Sequence, residues 1–397
     1  LTSGDKNVAV GQNALGANNS GGSNTSVGHN SLDANTTGSY NTAFGRDSLG
    51  TNTTASNNTA YGYGALQLNE TGASNTAIGA DALGNNLASN NTAVGFQALI
   101  ANTTGSENTA VGYSAGATIT TALRLTAIGF EAGKANTSGN ENTFVGRKAG
   151  LANTTAANNT AVGSFAFAAN TTGASNVAIG KSGMAANTTG TRNIAIGHNA
   201  YDSSDTENDN IAIGYNAMTT NTAGGTNNVA IGNYALDALT SGDNNTAVGH
   251  SALSTNAEGL KNTAVGIEAL ALNQGASVGT AVGYRALYAN TTGGSNTAIG
   301  NESMVANTVG YSNTAVGRDS LGANTTGDNH TAIGYGALIA NTTADSNTAV
   351  GHTALASTVS GGYNTAVGYE ALNANLAANN TAIGVYALKA NTTGTRN

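Results

Sequence analysis

A five-residue phrase, clean in Asn108-Thr109-Ala110-Val111-Gly112, occurs 23 times along the chain of 397 residues, the last time as Asn380-Thr381-Ala382-Ile383-Gly384. The step between phrase glycines is 17 residues, apart from two steps of 16 (Gly79 to Gly95, Gly368 to Gly384) and one of 18 (Gly214 to Gly232). A period this short marks a solenoid: each repeat forms one coil and buries its apolar face only by stacking on its neighbours. The repeat overrides the two or three globular domains that length alone would suggest. Residues 1–397 therefore read as a single continuous array of 23 coils, about 17 residues each, excised from a longer fibre protein. The chain has no proline, which suits a hydrogen-bonded ladder in which every N–H is needed.

Positions are counted here from the phrase glycine. Val or Ile stands at −1 in 21 of 23 repeats, Ala at −2 in 21, and Thr or a β-branched aliphatic at −3. Alternation with period two and β-branched residues is a strand signal. The −3 and −1 side chains then share one face and Ala takes the other. Hydrophobicity places the Val and Thr side inward, so Val111 and Leu99 are expected in the core. Leu at +4 and Ala at +6 suggest a second short strand, giving two strands and two turns per coil of an all-β, parallel β-solenoid (β-roll). Asn recurs at +7 in 19 repeats and at −4 in 20, flanking the long turn. Stacked about 4.8 Å apart, these form two asparagine ladders whose amides bond one another and the turn backbone. The phrase glycine is expected to supply a positive φ where the strand ends. Ala at −2 stays small along the whole array, which suggests close approach of a second surface at Ala110, Ala247 and Ala315; the chain's own long turn is the alternative.

Several departures from the repeat are candidates for function. Gly116, Gly133 and Gly150 replace Leu in three successive coils, beside Ile119, Leu123, Leu125 and Phe144. Compensating repacking is the plainer reading, a bend or neck the sharper one. Asp202, Asp205, Glu207 and Asp209 put four carboxylates within eight residues. They are a weak calcium candidate, since the Gly-rich calcium-roll repeat is missing. Position +1 carries Tyr63, Tyr113, Tyr215, Tyr284, Tyr335 and Tyr369, six of the chain's 14 tyrosines, with Phe96, Phe130 and the cations Arg46, Arg147, Lys181 and Arg318. Such a stripe suits a glycan or protein ligand; stacking between coils is the simpler explanation. Asn35, Asn102, Asn153 and Asn391 match the N-glycosylation pattern, yet Asn-Thr-Thr also makes good turns. His29, His198, His250 and His352 follow the phrase glycine on coils far apart, and His330 replaces a ladder Asn. No nucleophile motif, cofactor fingerprint or metal spacing appears, so no enzyme and no cofactor is expected.

Net charge is −8 with no basic cluster, which argues against nucleic acid. No apolar run approaches the roughly 18 residues of a membrane helix, so no membrane insertion by this segment is expected. At Asn176-Val177-Ala178-Ile179-Gly180, Asn193-Ile194-Ala195-Ile196-Gly197 and Asn228-Val229-Ala230-Ile231-Gly232 the phrase resembles the Ser-Val-Ala-Ile-Gly repeats of trimeric autotransporter adhesin heads (YadA-like). It is also similar to phage tail-fibre shafts and bacterial surface repeat proteins. The resemblance implies a left-handed β-roll, a homotrimer with the alanine face between chains, and an extracellular, cell-surface adhesin or fibre shaft. A virion tail fibre with a receptor-binding tip is the alternative. Ice binding is less favoured, because the recurring Thr shares a face with the Val placed in the core.

Overall fold

The computed structural model describes residues 4–221 and 224–397. The protein is all-β, with 23 parallel strands of three residues each and no helix among the described residues. It divides into two compact units, residues up to His198 and residues from Asn199 onward. The first holds the strands from β1 (Val8–Val10) to β12 (Ile194–Ile196), the second those from β13 (Ile211–Ile213) to β23 (Thr381–Ile383). Within each unit every strand pairs in parallel with the same residues one repeat on. Thr109 lies beside Thr126, Ala110 beside Ala127 and Val111 beside Ile128. The solenoid with about 17 residues per coil is thus the observed architecture.

The phrase glycine acts as expected and for two reasons. Its φ runs from 128° to 144° in the phrase, a region open to glycine. A Cβ on Gly112 would also sit 2.4 Å from the carbonyl oxygen of Gly129, the same glycine one coil on. Corner and stacking distance both require the bare backbone.

Among the described residues the expected second strand is absent. From the phrase glycine to +7 the chain makes overlapping hydrogen-bonded turns: Ala65 N–H donates to Gly62 O, Gln67 to Gly64 and Asn69 to Leu66, at 3.4, 3.2 and 3.2 Å. Gly64 and Leu66 carry φ of 61° and 53°. A β-strand cannot hold residues in the left-handed region. Position +2 suits it, with Asn13, Asn30, Asp47, Asp81, Asn199 and Asn216, residue types that tolerate this conformation. Leucine at +4 does not, at a cost of about 1–2 kcal/mol. Complete burial of Leu66 contributes about 1.5–3 kcal/mol against that cost. The turns still bond from coil to coil, as Leu66 N–H does to Ala82 O at 3.0 Å.

The face assignment of the strand is reversed. Ala110, Ala247 and Ala315 are fully buried, whereas Val111, Val248 and Val316 are only partly covered and face outward with the threonines. Leu99 is fully buried as expected. The reason is width. The strand and the turn segment lie so close that −2 accepts little more than a methyl group.

The asparagine ladders line the rest of the interior. Asn102 Nδ2 donates to Asn86 Oδ1 at 2.7 Å and to Gly105 O at 2.8 Å. Asn108 Nδ2 donates to Ala122 O at 2.8 Å, and its Oδ1 accepts the Leu125 amide at 2.9 Å. The −4 amides such as Asn108 take up both a backbone N–H and a turn C=O, and the +7 amides such as Asn102 a turn C=O, groups that a coil of this size would otherwise bury unpaired. The Asn35, Asn102 and Asn153 side chains are fully buried in the ladder, so in the folded coil they are turn residues and not glycan acceptors.

Candidate functional site

Where a coil departs from the repeat, its interior departures compensate one another. Gly116 stands where Leu belongs, and a Cβ there would meet Ile119 Cδ1 at 2.9 Å and Leu99 Cδ2 at 3.0 Å. Ile119 and Leu125, both fully buried, replace the two ladder asparagines of that turn and fill the space. Phe144 replaces the strand Ala and lies fully buried. Its ring fills the leucine space of two coils: added Cβ atoms on Gly133 and Gly150 would lie 2.8 and 2.4 Å from it. The three glycines are therefore a repacked core.

The acidic turn resolves the same way. Glu207, 3% exposed, occupies the position of Gly105 and spends its carboxylate on local donors. Oε2 accepts from Ser204 Oγ, Asp205 N and Thr206 N at 3.0, 2.9 and 3.0 Å, and Oε1 from Gly224 N at 3.1 Å. Among the described residues no three of His, Asp and Glu converge as metal ligands, and Glu207 caps the turn that also carries Asp202, Asp205 and Asp209. In the same coil Tyr201 takes the leucine position, and its hydroxyl accepts from Asn210 Nδ2 at 2.6 Å and Asn221 Nδ2 at 3.2 Å. Burial pushes the phenol up, well above its ordinary value. Sequence reasoning missed this coupling. Its signal was present: Tyr for Leu, Ser204 for Asn and Glu207 for Gly fall in one repeat.

His330 is built into the ladder. It is 1% exposed. Its Nδ1 accepts the Asn347 amide at 3.1 Å, so Nε2 carries the proton and donates to Ala344 O at 2.5 Å. Burial pushes the imidazole below its ordinary value, opposed by those two backbone bonds and by Asp345 and Asp328.

The alanines expected at an interchain contact lie inside the chain's own coil, at zero exposure. They cannot meet a partner there. What each unit presents outward from its strands is the −3 and −1 ranks. In the second unit Ile231, Val265, Ile299 and Ile333 are 37–40% exposed, although each has a coil stacked on either side.

The +1 stripe forms a file of rings beside these ranks, and most of its ring faces are already used. Tyr113 stacks between Phe96 and Phe130 with centroids 5.3 Å apart on each side. His352 lies between Tyr335 and Tyr369 at 5.0 and 5.1 Å. The Arg318 guanidinium covers Tyr335 at 4.7 Å, and Arg46 sits over Tyr63 at 5.9 Å. Tyr215 meets Tyr234 edge to face at 5.5 Å. Tyr284 is exposed. Stacking from coil to coil thus engages Tyr113, Tyr335 and Tyr369, whereas Tyr284 has Ile267 and Asn301 as its +1 neighbours.

No protein-family model matches the chain, and no curated protein was found that resembles it closely enough to count as a relative.

Proposed function

We propose that the protein is a structural fibre segment, the projecting shaft of a bacterial surface filament or trimeric adhesin, or of a phage tail fibre. One observation carries this reading. The outward −3 and −1 ranks hold no Lys, Arg, Asp or Glu in any of the 23 repeats, while +1, +2 and +5 carry charges freely. A strip of outward, part-exposed Ile, Val and Thr that is kept free of charge marks an interaction surface. In the first unit, with 12 strands, it is about 50 Å tall. Identical strips on parallel rods match each other in length and spacing. This supports side-by-side packing of copies through the strand face, where the alanine face was first expected.

Sedimentation of the native chain and of a Val265→Lys/Ile299→Lys variant tests the reading. Both side chains point outward, so the variant should keep its far-ultraviolet circular dichroism. An oligomeric native chain, trimeric if the adhesin likeness holds, and a monomeric variant are expected. A monomeric native chain, or an oligomer indifferent to both lysines, refutes it.

A specific observation also favours ice binding as a second reading. The threonines, at −3 in 18 of 23 repeats, face outward, which removes the objection raised by the expected parity. They form a rigid, uncharged grid about 4.8 Å by 6.7 Å with the Val and Ile rank. Thermal hysteresis that Thr263→Lys and Thr297→Lys abolish would support this function, and its absence from the native chain would end it.

A further inference from the structure

In the second unit, three successive coils carry small residues at +5 and +6: Thr219 and Thr220, Asp237 and Ala238, Ser254 and Thr255. The next two coils place bulk there, Leu272 at +6 and Tyr288 at +5, whereas the preceding coil has Asp202 and Ser203. These three coils line a shallow groove of about 700 Å³, with Tyr234 in its wall. That ring is 36% exposed and is held edge to face by Tyr215 and His250, at 5.5 and 5.8 Å.

The polar lining is one-sided in its hydrogen bonding. Thr219 donates its hydroxyl to Asn216 O at 3.2 Å, and Thr220 to Asp237 O at 2.6 Å. Thr240 donates to Ala257 O at 3.0 Å. Ser254 and Thr255 both donate to Ala271 O, at 3.3 and 2.9 Å. With their protons committed to the backbone, these hydroxyls offer a ligand only lone pairs. The half-buried Asp237 carboxylate adds two more acceptor oxygens in the middle of the floor. Burial raises its pKa, opposed by the hydrogen bonds it accepts from the amides of Asp237 and Ala238.

We propose that this groove is a saccharide-binding site: an acceptor-rich floor centred on Asp237 receives the hydroxyl donors of a sugar, and the Tyr234 ring covers its apolar C–H face. The groove belongs to a single chain, so the site does not depend on the fibre reading.

The test titrates the full chain with neutral hexose and with hexosamine oligosaccharides, read by saturation-transfer magnetic resonance and calorimetry. The variants are taken from the chain's own repeats, so the coil tolerates them. Ala238→Leu copies Leu272, Ser254→Tyr copies Tyr288, and Tyr234→Asn copies Asn216 at +2. Binding by the native chain is expected, with at least a tenfold loss in Ala238→Leu and in Tyr234→Asn. Asp237→Asn separates the two sugar classes: hexosamine affinity falls tenfold or more, and neutral-sugar affinity falls less. No binding of either class up to about 10 mM, or unchanged affinity in the Ala238→Leu protein, overturns the proposal. Sedimentation of the same variants reports on assembly separately, since none of them touches the −3 or −1 rank.

Discussion

Phe144→Ala restores the residue that the repeat favours, yet it should be among the most damaging changes in the first unit. The Phe144 ring is fully buried and occupies the space of two missing leucines. Truncating a buried phenylalanine costs about 3–5 kcal/mol. The converse change, Gly150→Leu with Phe144 in place, drives a Cβ to 2.4 Å from Phe144 Cδ1 and 2.5 Å from Cε1. Overpacking of this kind costs about 1–3 kcal/mol or more. The combination Phe144→Ala/Gly133→Leu/Gly150→Leu should instead recover much of the loss, ending about 1–3 kcal/mol below native. Roughly seven side-chain carbons then give way to nine, close to a volume-conserving exchange. Each new leucine takes up a left-handed φ, 56° at Gly133 and 58° at Gly150, as Leu49 and Leu83 do at 50° and 51°, at about 1–2 kcal/mol apiece. Hydrogen exchange at the Thr143 and Thr160 amides, which bond Asn159 O and Asn176 O in the neighbouring coils, reports local stability of this stretch. Damage by each single change and recovery in the triple variant is the expected pattern. Additive costs, leaving the triple variant the least stable, would refute the shared-space reasoning.

Two further outcomes follow from the interior. His330 is held neutral, with its proton affinity lowered by burial. The unfolded chain therefore takes up a proton before the folded one does. Stability should be complete above the ordinary imidazole value of 6.5 and fall as pH drops below it. His330→Asn, which restores the ladder residue, should remove that acid limb from a plot of melting temperature against pH; an unaltered limb would refute the assignment. Gly112→Ala should cost about 2–4 kcal/mol, combining strain at φ 137° with a 2.4 Å contact to Gly129 O. Because that contact is with backbone, no side-chain rotation relieves it, and a neutral effect in urea unfolding would count against the stacking geometry.

Period, strand position, both asparagine ladders and the glycine corner were all legible in the sequence. Each follows from a residue type that has one backbone or hydrogen-bonding use at its position. The inside of the strand was not legible through hydrophobicity, which ranks Val above Ala. Size decides instead: facing a turn segment at close range, the strand has room inside for Ala110 and none for Val111. The hint lay in the exceptions. A rank that accepts Val, Ile, Phe44 and Tyr61 alike is not a tightly packed core, and those two rings stack outside at 4.8 Å. The rank that holds Ala in 21 of 23 repeats is the constrained one. The second strand failed because apolar spacing alone cannot distinguish extended chain from turns with left-handed leucines. The groove at Asp237 was invisible along the chain because it consists of small residues on three coils.

The chain has no cysteine, so single cysteines at Thr109, Ala110 and Val111 report cleanly on which face of the strand is inside. Ser26 occupies the alanine rank in another coil, so the slightly larger side chain of Ala110→Cys should be accommodated. Measured on the monomeric chain, rates of thiol alkylation should lie within about tenfold of a free peptide for Thr109→Cys and Val111→Cys, and about a thousandfold or more below it for Ala110→Cys, which reacts only when the coil opens. The opposite pattern, a protected cysteine at 111 and a reactive one at 110, would contradict a solenoid that keeps alanine inside and presents valine and threonine to its surroundings.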